Sequence, residues 1–238
     1  MVIVTGGTHG IGAAMAWRFA QDGLKVITVA RHGAKICADL EREESVDALI
    51  AILRSERVSV VVHNVGGGGR WGTDVPHDAE NDRVWDEVYW KNFVAARKIT
   101  DALLPGMIEA EFGRVIFVSS ICGFEGGHNR PWFTVAKAAQ IAYVSEMARN
   151  PIYARNGITF NAVAPGPVWI EGTGWARMAS ERPEEFDQYV EKLPMGRLGR
   201  AEEVADLVRF LASPGAGWIS GVTIPIDGGE SRTLWRDK

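Results

Sequence analysis

Cysteine is scarce in this sequence, which includes only Cys37 and Cys122 among 238 residues. Two isolated cysteines are too few for a disulfide framework or a cysteine-rich metal site, so we expect no metal and a reducing compartment. No apolar run reaches the roughly 18–20 residues that a helix needs to cross a bilayer. The N-terminal residues also lack the basic and apolar regions of a signal peptide. The expectation is a soluble, cytoplasmic protein with no membrane partner.

Positive charge is not in excess either. Lys and Arg number 26 and Asp and Glu number 30, a formal net charge of −4. Proteins that bind nucleic acids usually carry a basic face, so this balance argues against such a partner. Internal repeats, low-complexity tracts and linker-like stretches are missing as well. We therefore expect residues 1–238 to form a single domain with a substantial core.

Short β-branched runs alternate with amphipathic stretches, which is typical of β–α–β units around a parallel sheet. Strands are predicted near residues 1–5, 25–30, 57–64, 113–119, 159–164 and 222–226. Helices are predicted near residues 11–21, 45–55, 83–104, 134–149, 183–192 and 202–212. The predicted fold is a doubly wound α/β domain, with helices on both faces of a parallel sheet.

The connection after the second predicted strand is short. Only about five residues separate Ala30 from the next possible strand, near residues 35–40, whereas a parallel crossover needs about a dozen or more. Either a helix is missing between the two strands, or residues 35–40 are not a parallel strand.

The glycine-rich segment after the first strand carries the clearest chemical signal. Residues 5–12 read T-G-G-T-H-G-I-G, between an apolar strand and a helical pattern. Glycines here allow a tight turn and a close approach of the backbone to a pyrophosphate, and the N-terminus of the following helix favours an anion. The segment therefore predicts a dinucleotide site.

The spacing T-G-x-x-x-G-x-G resembles that of the short-chain dehydrogenase/reductase family, and further matches follow in order along the chain. Residues 63–66 (H-N-V-G) resemble the element that closes the family's fourth strand, with His63 in place of its first Asn. Residues 118–120 (V-S-S) resemble the end of its fifth strand, and residues 161–166 (N-A-V-A-P-G) its N-x-x-x-P-G segment. The resemblance implies a Rossmann-type oxidoreductase that transfers a hydride between a nicotinamide dinucleotide and a small-molecule carbonyl or alcohol.

The resemblance also implies which residues contact the nucleotide. They come from the glycine loop, the ends of the following strands and the segment after residue 164: Thr5, Gly6, Thr8, His9, Gly10, Ile11, Gly12, Arg31, Asp39, Leu40, Asn64, Gly66, Lys137, Pro165, Gly166 and Val168.

The second strand ends in A-R-H at residues 30–32, without the acidic residue that would bond the adenosine ribose of NAD. Arg31 is able to pair with a 2′-phosphate and to stack on adenine. We therefore expect NADP(H) to be favoured, with NAD(H) as the alternative. The other interpretation is that Arg31 is simply a solvated loop residue.

Relatives use an Asn, a Ser, a Tyr and a Lys in catalysis, and three of these are matched by Asn92, Ser120 and Lys137. The resemblance implies that Ser120 binds the substrate oxygen, Lys137 the nicotinamide ribose, and Asn92 a water that leads to the lysine. Ser119 is the neighbouring candidate, but the thirteen-residue step from Ser120 to position 133 fits the family better. The fourth position is Phe133, one helical turn before Lys137.

Phe133 keeps an aromatic ring but lacks the hydroxyl that exchanges a proton with the substrate. Positioned general acids contribute about 10²–10⁴-fold, so ordinary reduction should fall by several orders of magnitude. Three explanations are open: an inactivating replacement of Tyr by Phe, a natural chemistry in which Ser120, Lys137 or water moves the proton, and a protein that binds nucleotide without turnover. The retained polar set favours the first. An isomerase or dehydratase on the same fold is a further alternative.

Substrate specificity in the family comes mainly from the segment after residue 166, here about residues 167–195. Ile170 lies where relatives carry a Thr that bonds the nicotinamide carboxamide, so Thr173 is the substitute candidate. Four tryptophans predict a flat, apolar cleft for a cyclic or aromatic carbonyl, unless they cap the core or a subunit interface: Trp71, Trp132, Trp169 and Trp175. The two longest predicted helices imply a homodimer or homotetramer.

Overall fold

A computed structural model describes residues 1–68, 79–125 and 130–232. Within these ranges a large parallel sheet contains seven strands: β1 Val2–Thr5, β2 Val26–Ala30, β3 Ile36–Cys37, β4 Val60–His63, β5 Gly113–Val118, β6 Ile158–Pro165 and β9 Thr223–Ile226. A separate parallel pair consists of β7 Val168–Trp169 and β8 Gly199–Arg200. The spatial order of the large sheet is β3-β2-β1-β4-β5-β6-β9. Strand order reverses between β1 and β4, so the doubly wound α/β prediction is confirmed.

Helices cover both faces of the sheet. They are α1 Gly10–Gln21, α2 Glu43–Leu53, α3 Ala79–Tyr89, α4 Ala95–Glu109, α5 Pro131–Ala148, α6 Pro151–Arg155, α7 Gly174–Glu181, α8 Pro183–Lys192 and α9 Ala201–Ala212. Successive strand residues point to opposite faces. Ile3 and Val61 pack in the core with α2, α4 and α5, while Val2 and Val60 pack in the core with α1 and α9. In the part of the chain that the structure describes, no helix is both long and apolar enough to cross a membrane.

The short connection after β2 joins two parallel strands, so the first of the two alternatives is right and a helix is missing there. The register pairs Val29 with Ile36 and Ala30 with Cys37. Strand β3 therefore starts beside the end of β2 rather than beside its beginning. The connection has to run back along only about one residue of β2, and residues 31–35 are long enough for that. Lys35 N–H donates to the Thr28 hydroxyl at 3.1 Å, which holds the loop in place.

The helix predicted over residues 83–104 is interrupted and longer than expected. It consists of α3, a π-helical turn at Trp90–Val94, and α4, which continues past Pro105 to Glu109. A proline removes one backbone hydrogen bond from a helix. Burial of Leu104 and Met107 on either side of Pro105 keeps α4 packed on the sheet through that gap.

Other boundaries also differ from the sequence pattern. Helix α5 begins at Pro131 rather than residue 134, with the proline in the first turn, where its missing N–H is tolerated. The elements α6, α7, β7 and β8 are short, and neither α6 nor α7 contains a buried residue.

Candidate nucleotide and active site

The glycine-rich loop joins β1 to α1 at the carboxyl edge of the sheet. Gly6 and Gly10 have φ angles of +64° and +51°, which L side chains rarely adopt. A Cβ atom on Gly12 would overlap the Gly6 carbonyl oxygen and lie 2.7 Å from Asn64 Nδ2. The backbone at Gly12 packs so closely against the backbone at Gly6 that a side chain at position 12 has no room.

The end of β4 holds this loop. The buried Thr5 hydroxyl accepts the backbone N–H groups of Asn64 (3.0 Å) and Val65 (3.2 Å) and donates to the Val62 carbonyl (3.4 Å). Asn64 Nδ2 donates to the Gly6 carbonyl at 3.3 Å. Thr5 and Asn64, both predicted nucleotide contacts, therefore fix the shape of the cradle.

Helix α1 starts at Gly10, directly behind the loop. Thr8 and His9 are exposed, and the His9 side chain makes no capping hydrogen bond to the first turn. Ile11 packs partly against the core. A tight glycine cradle beside a helix N-terminus without a side-chain cap fits the pyrophosphate of a dinucleotide.

The predicted adenosine contacts lie at the end of the sheet that holds β2 and β3. Arg31 is exposed directly after β2. Asp39 is engaged by its own turn, since its carboxylate accepts the Glu41 N–H at 3.1 Å. Leu40 is buried in the core, and its carbonyl accepts the Trp90 indole N–H at 3.1 Å. Of the three predicted adenosine contacts, Arg31 is therefore an exposed cation, whereas Asp39 and Leu40 shape the turn after β3.

Asn92 lies in the π-helical turn and is fully buried. Its Nδ2 donates to the carbonyls of Val88 (2.8 Å) and Gly67 (3.0 Å), and its Oδ1 accepts the Gly67 N–H at 3.2 Å. A Cβ on Gly66 would lie 2.5 Å from this Oδ1. Single π turns occur frequently at functional sites. Here the turn places an amide where it clamps the loop after β4.

Lys137 is only 4% exposed. Its ammonium donates to the Val118 carbonyl at the end of β5 (2.9 Å) and to Gln140 Oε1 (3.4 Å). Burial lowers the pKa of Lys137 to about 7, and the electrostatic effect of Cys122 opposes this shift. Nζ would be 3.2 Å from a Cβ on Gly66, so Lys137 meets the loop that Asn92 clamps.

The two serines after β5 have different surroundings. The Ser119 hydroxyl is buried and donates to the Lys137 carbonyl in α5 at 3.1 Å. Ser120 is half-buried, and its Oγ accepts the Cys122 N–H at 3.2 Å, which caps a short 3-10 turn. Ser119 therefore joins α5 to the sheet, whereas Ser120 caps the turn after β5.

Phe133 lies in the first turn of α5, beside Lys137 as the spacing of four predicts. Its half-buried ring has the Lys137 ammonium 5.5 Å and the Arg130 guanidinium 5.3 Å from its centroid. It packs against a small cluster that contains Trp132 and Val88. An aromatic ring without a hydroxyl therefore lies beside the lysine ammonium.

The end of β6 completes the edge. Pro165 ends β6, and a Cβ on Gly166 would lie 3.0 Å from Glu230 Oε2. Val168 is buried in the core, so its side chain supports the sheet. Ile170 packs against the glycine loop, and its carbonyl accepts the Thr173 hydroxyl at 2.7 Å.

Comparison with known proteins agrees with this arrangement. A family model described as enoyl-(acyl carrier protein) reductase matches residues 6–231. The chain is 33% identical over 240 residues to the 3-oxoacyl-(acyl-carrier-protein) reductase MabA of Mycobacterium bovis, covering 96% of this chain and 91% of that one. It is 30% identical over 251 residues to the 2,3-dihydroxy-2,3-dihydro-p-cumate dehydrogenase of Pseudomonas putida, covering 97% and 94%. The chain belongs to the short-chain dehydrogenase/reductase family.

Solved structures of short-chain dehydrogenases/reductases share the fold. Actinorhodin polyketide ketoreductase with NADPH superposes with a TM-score of 0.84 at 27% identity, covering 97% of both chains. The aldohexose dehydrogenase of Thermoplasma acidophilum gives a TM-score of 0.82 at 27% identity, covering 100% of this chain and 96% of that one. The family prediction made from the motifs is confirmed, and the chain is an oxidoreductase of this family by descent.

The tryptophans expected at the mouth of the family's pocket are not gathered in one place. Trp132 is buried and donates to the Gly68 carbonyl at 2.7 Å. Trp169 lines a groove of about 580 Å³ together with His9 and Trp17 on the α1 side. Trp175 stacks on Tyr189 with ring centroids 4.6 Å apart. Trp71 lies outside the described residues.

Three residues have contacts that the motif analysis did not predict, although it named His63 as a departure from the family's Asn. The Tyr189 hydroxyl donates to Glu230 Oε1 at 2.5 Å, and burial raises the pKa of this tyrosine. His63 is buried with Nε2 2.8 Å from the Thr100 hydroxyl, and burial lowers its pKa to about 3. Gln140 bridges Lys137 and Asn92. An unexpected polar residue in an apolar helix was the one signal for Gln140, whereas His63 stood out as a departure from the family's Asn. No cluster of metal-binding side chains occurs among the described residues.

Proposed function

We propose that this chain binds a nicotinamide dinucleotide across the carboxyl ends of β1, β4, β5 and β6 and acts on a carbonyl or alcohol substrate. The observation that carries the proposal is the convergence of the glycine cradle, the buried Lys137 ammonium and the Ser120 hydroxyl at this one edge. The dinucleotide supplies or accepts the hydride when bound. Residues of the chain bind the nucleotide, hold the substrate oxygen and keep the loop after β4 in position.

Each polar residue has a distinct role in this proposal. Lys137 Nζ binds the ribose hydroxyls next to the nicotinamide, since Gly66 leaves space beside it. Ser120 donates a hydrogen bond to the substrate oxygen, which stabilises the negative charge that develops there. Asn92 keeps the loop after β4 in position through two hydrogen bonds to Gly67, and a third to the Val88 carbonyl fixes its own side chain.

In this proposal Phe133 stands where the family has its catalytic tyrosine, and this chain is an inactivated form of a reductase. The Phe133 ring is 5.5 Å from the Lys137 ammonium, so a tyrosine at this position would have its hydroxyl pKa lowered by the lysine charge. A natural chemistry with another proton source, a nucleotide-binding protein without turnover, and an isomerase or dehydratase are the alternatives. Retention of Asn92, Ser120 and Lys137 supports the inactivated enzyme, whereas Phe133 taken alone supports the protein without turnover.

NADP(H) is the nucleotide we propose, with NAD(H) as the alternative. Arg31 is exposed at the end of β2, where the 2′-phosphate of the adenosine would lie, and residues 30–35 contain no carboxylate. An arginine forms paired, charge-assisted hydrogen bonds with a phosphate. The solved ketoreductase relative with NADPH is consistent with this choice.

A cyclic or aromatic carbonyl remains the proposed substrate class. One aromatic pair now supports it, rather than the four tryptophans named from the sequence. Trp175 and the Tyr189 ring form a stacked aromatic pair in the α7–α8 segment, which is where the family's specificity residues lie. Trp132 and Trp169 do not join this pair in the structure. We also retain the family-based expectations of a homodimer or homotetramer and of a cytoplasmic location.

Nucleotide binding tests the proposal without knowledge of the substrate. NADPH and NADH would be titrated calorimetrically into the chain, Arg31→Ala, and Arg54→Ala as a matched exposed control. We expect NADPH to bind more tightly, and Arg31→Ala to weaken NADPH binding by about 10-fold, the effect of one charge-assisted contact. Arg54→Ala should bind like the parent chain. Equal affinities in all three proteins would refute the role of Arg31, and no binding of either nucleotide would refute the proposed function.

A further inference from the structure

Gln140 is a fully buried polar residue in the middle of α5, three positions after Lys137. A buried amide must have hydrogen-bond partners, because an unsatisfied one strongly destabilises the fold. Its Nε2 donates to the Asn92 carbonyl at 2.6 Å, and its Oε1 accepts the Lys137 ammonium at 3.4 Å. The orientation of the amide is forced, since a carbonyl only accepts and an ammonium only donates.

The Asn92 carbonyl lies in an irregular stretch of helical backbone. The π-helical turn at Trp90–Val94 interrupts the α-helical pattern of hydrogen bonds at this residue. Gln140 Nε2 takes up the acceptor, and the Asn92 side chain meanwhile clamps Gly67. One residue, Asn92, thereby connects both to the loop after β4 and to α5.

Lys137 depends on such neutral partners. Its hydrogen bonds go to the Val118 carbonyl and to Gln140, and no carboxylate is among its described partners. Among the described residues, the titratable and charged groups near it are the Cys122 thiol, on the turn after β5, and the Arg130 guanidinium, which lies over the same Phe133 ring. Each acceptor that faces the ammonium therefore matters for its position and its charge.

We propose that Gln140 is a positioning residue, which fixes the Lys137 ammonium by a direct link to the helical segment that carries Asn92. This inference rests on the role proposed for Lys137 in nucleotide binding. The resemblance to the family implies a water between Asn92 and Lys137, and here an amide side chain spans that interval. A neutral amide holds its partners but does not pass protons on at neutral pH. The link is therefore suited to holding the lysine still, in a site that also lacks the hydroxyl at position 133.

The charge of Lys137 reports on this link directly. The 15Nζ signals of the lysines would be followed by NMR across about pH 5 to 9, with Lys137→Arg to identify the signal. Gln140→Met keeps the approximate shape but removes the acceptor, so the midpoint of Lys137 should fall by about one pH unit, the effect of one hydrogen bond to a charged group. Gln140→Glu places a carboxylate against the ammonium, so the midpoint should rise by at least about one unit.

Tyr143→Phe is the matched control in the same helix, because among the described residues its hydroxyl donates to the exposed Asp101 side chain, at 3.5 Å, and not to Lys137 or Gln140. It should leave the midpoint unchanged. A midpoint that is the same in the parent chain and in Gln140→Glu would overturn the proposal, even if Gln140→Met does not fold. An equal shift in Tyr143→Phe would overturn it too, since the effect would then belong to the helix in general.

Nucleotide affinity separates this inference from the proposed function. If Gln140 holds Lys137 as proposed, the Gln140→Met variant should bind NADPH about 10-fold more weakly than the parent chain. In that variant the Lys137 ammonium is less charged and less fixed in position. Shifted midpoints in a chain that does not bind NADPH would support the Gln140 link and overturn the proposed function. Unchanged midpoints in a chain that binds NADPH would do the reverse.

Discussion

The tight packing of the glycine cradle leads to a sharp prediction for Gly12→Ala. The new Cβ would overlap the Gly6 carbonyl oxygen and lie 2.7 Å from the Gly6 carbonyl carbon, against about 3.5–4.0 Å for an ordinary carbon contact. Because the obstacle is backbone and cannot rotate away, we expect the upper end of the overpacking range, about 3 kcal/mol. For a chain of this length that corresponds to a fall in Tm of about 6–12 °C.

Gly106→Ala is the matched control, since beyond its chain neighbours and the backbone of its own helix no described atom lies within 4 Å of the Cβ it would add in α4. It should stabilise the chain by about 0.5–1 kcal/mol through helix propensity. Differential scanning fluorimetry gives both Tm values, and NADPH titration should show lost binding in Gly12→Ala alone. A Gly12→Ala protein with the Tm and the NADPH affinity of the parent chain would refute the close-packed cradle.

Two buried bases make stability depend on pH. The pKa of His63 falls from 6.5 to about 3 on folding, so the unfolded chain binds more protons between these values and stability is lost as the pH falls below 6.5. Urea unfolding should therefore show about 2 kcal/mol less stability from this residue at pH 5 than at pH 8. The pKa of Lys137 falls from 10.5 to about 7, so Lys137→Met should stabilise the chain at pH 7 by about 2–4 kcal/mol. The same variant should lose NADPH affinity, and its gain in stability should shrink as the pH rises toward 10.5.

His63→Asn, which removes the titrating ring, is the control for the first of these measurements. A loss of stability at pH 5 that is as large in His63→Asn as in the parent chain would show that His63 is not its source. For the lysine, a Lys137→Met chain less stable than the parent at pH 7 would contradict the burial of an ammonium that has no carboxylate among its described partners.

Much of the fold was predictable, because long buried strands and helices leave strong patterns. The continuous apolar runs of β1, β4 and β5 and the glycine loop place the carboxyl edge of the sheet correctly. Pro105 illustrates the limit, since a local rule ends the helix there and the buried contacts of Met107 override it. The strand β3 was ambiguous because register, which no sequence pattern reveals, decides how short its connection is allowed to be.

The site was predictable at the motif residues and not beyond them. The spacing of Phe133 and Lys137 correctly placed the two side chains on one face of a helix. The step of thirteen residues to position 133 favoured Ser120 over Ser119, but the different hydrogen-bond partners of the two hydroxyls became visible only in the structure. Gln140 was missed because its partners, Lys137 and Asn92, meet only after α5 packs against the π-helical turn.

NADPH consumption with a panel of cyclic and aromatic ketones tests the central claim most directly, with this chain compared with Phe133→Tyr. Restoring a hydroxyl beside the Lys137 ammonium should bring back a general acid, so the Tyr variant should turn over at least about 10²-fold faster. Activity that appears only in Phe133→Tyr is the predicted result. Equal activity in both proteins would contradict the account, because the proton would then come from a group other than the one at position 133.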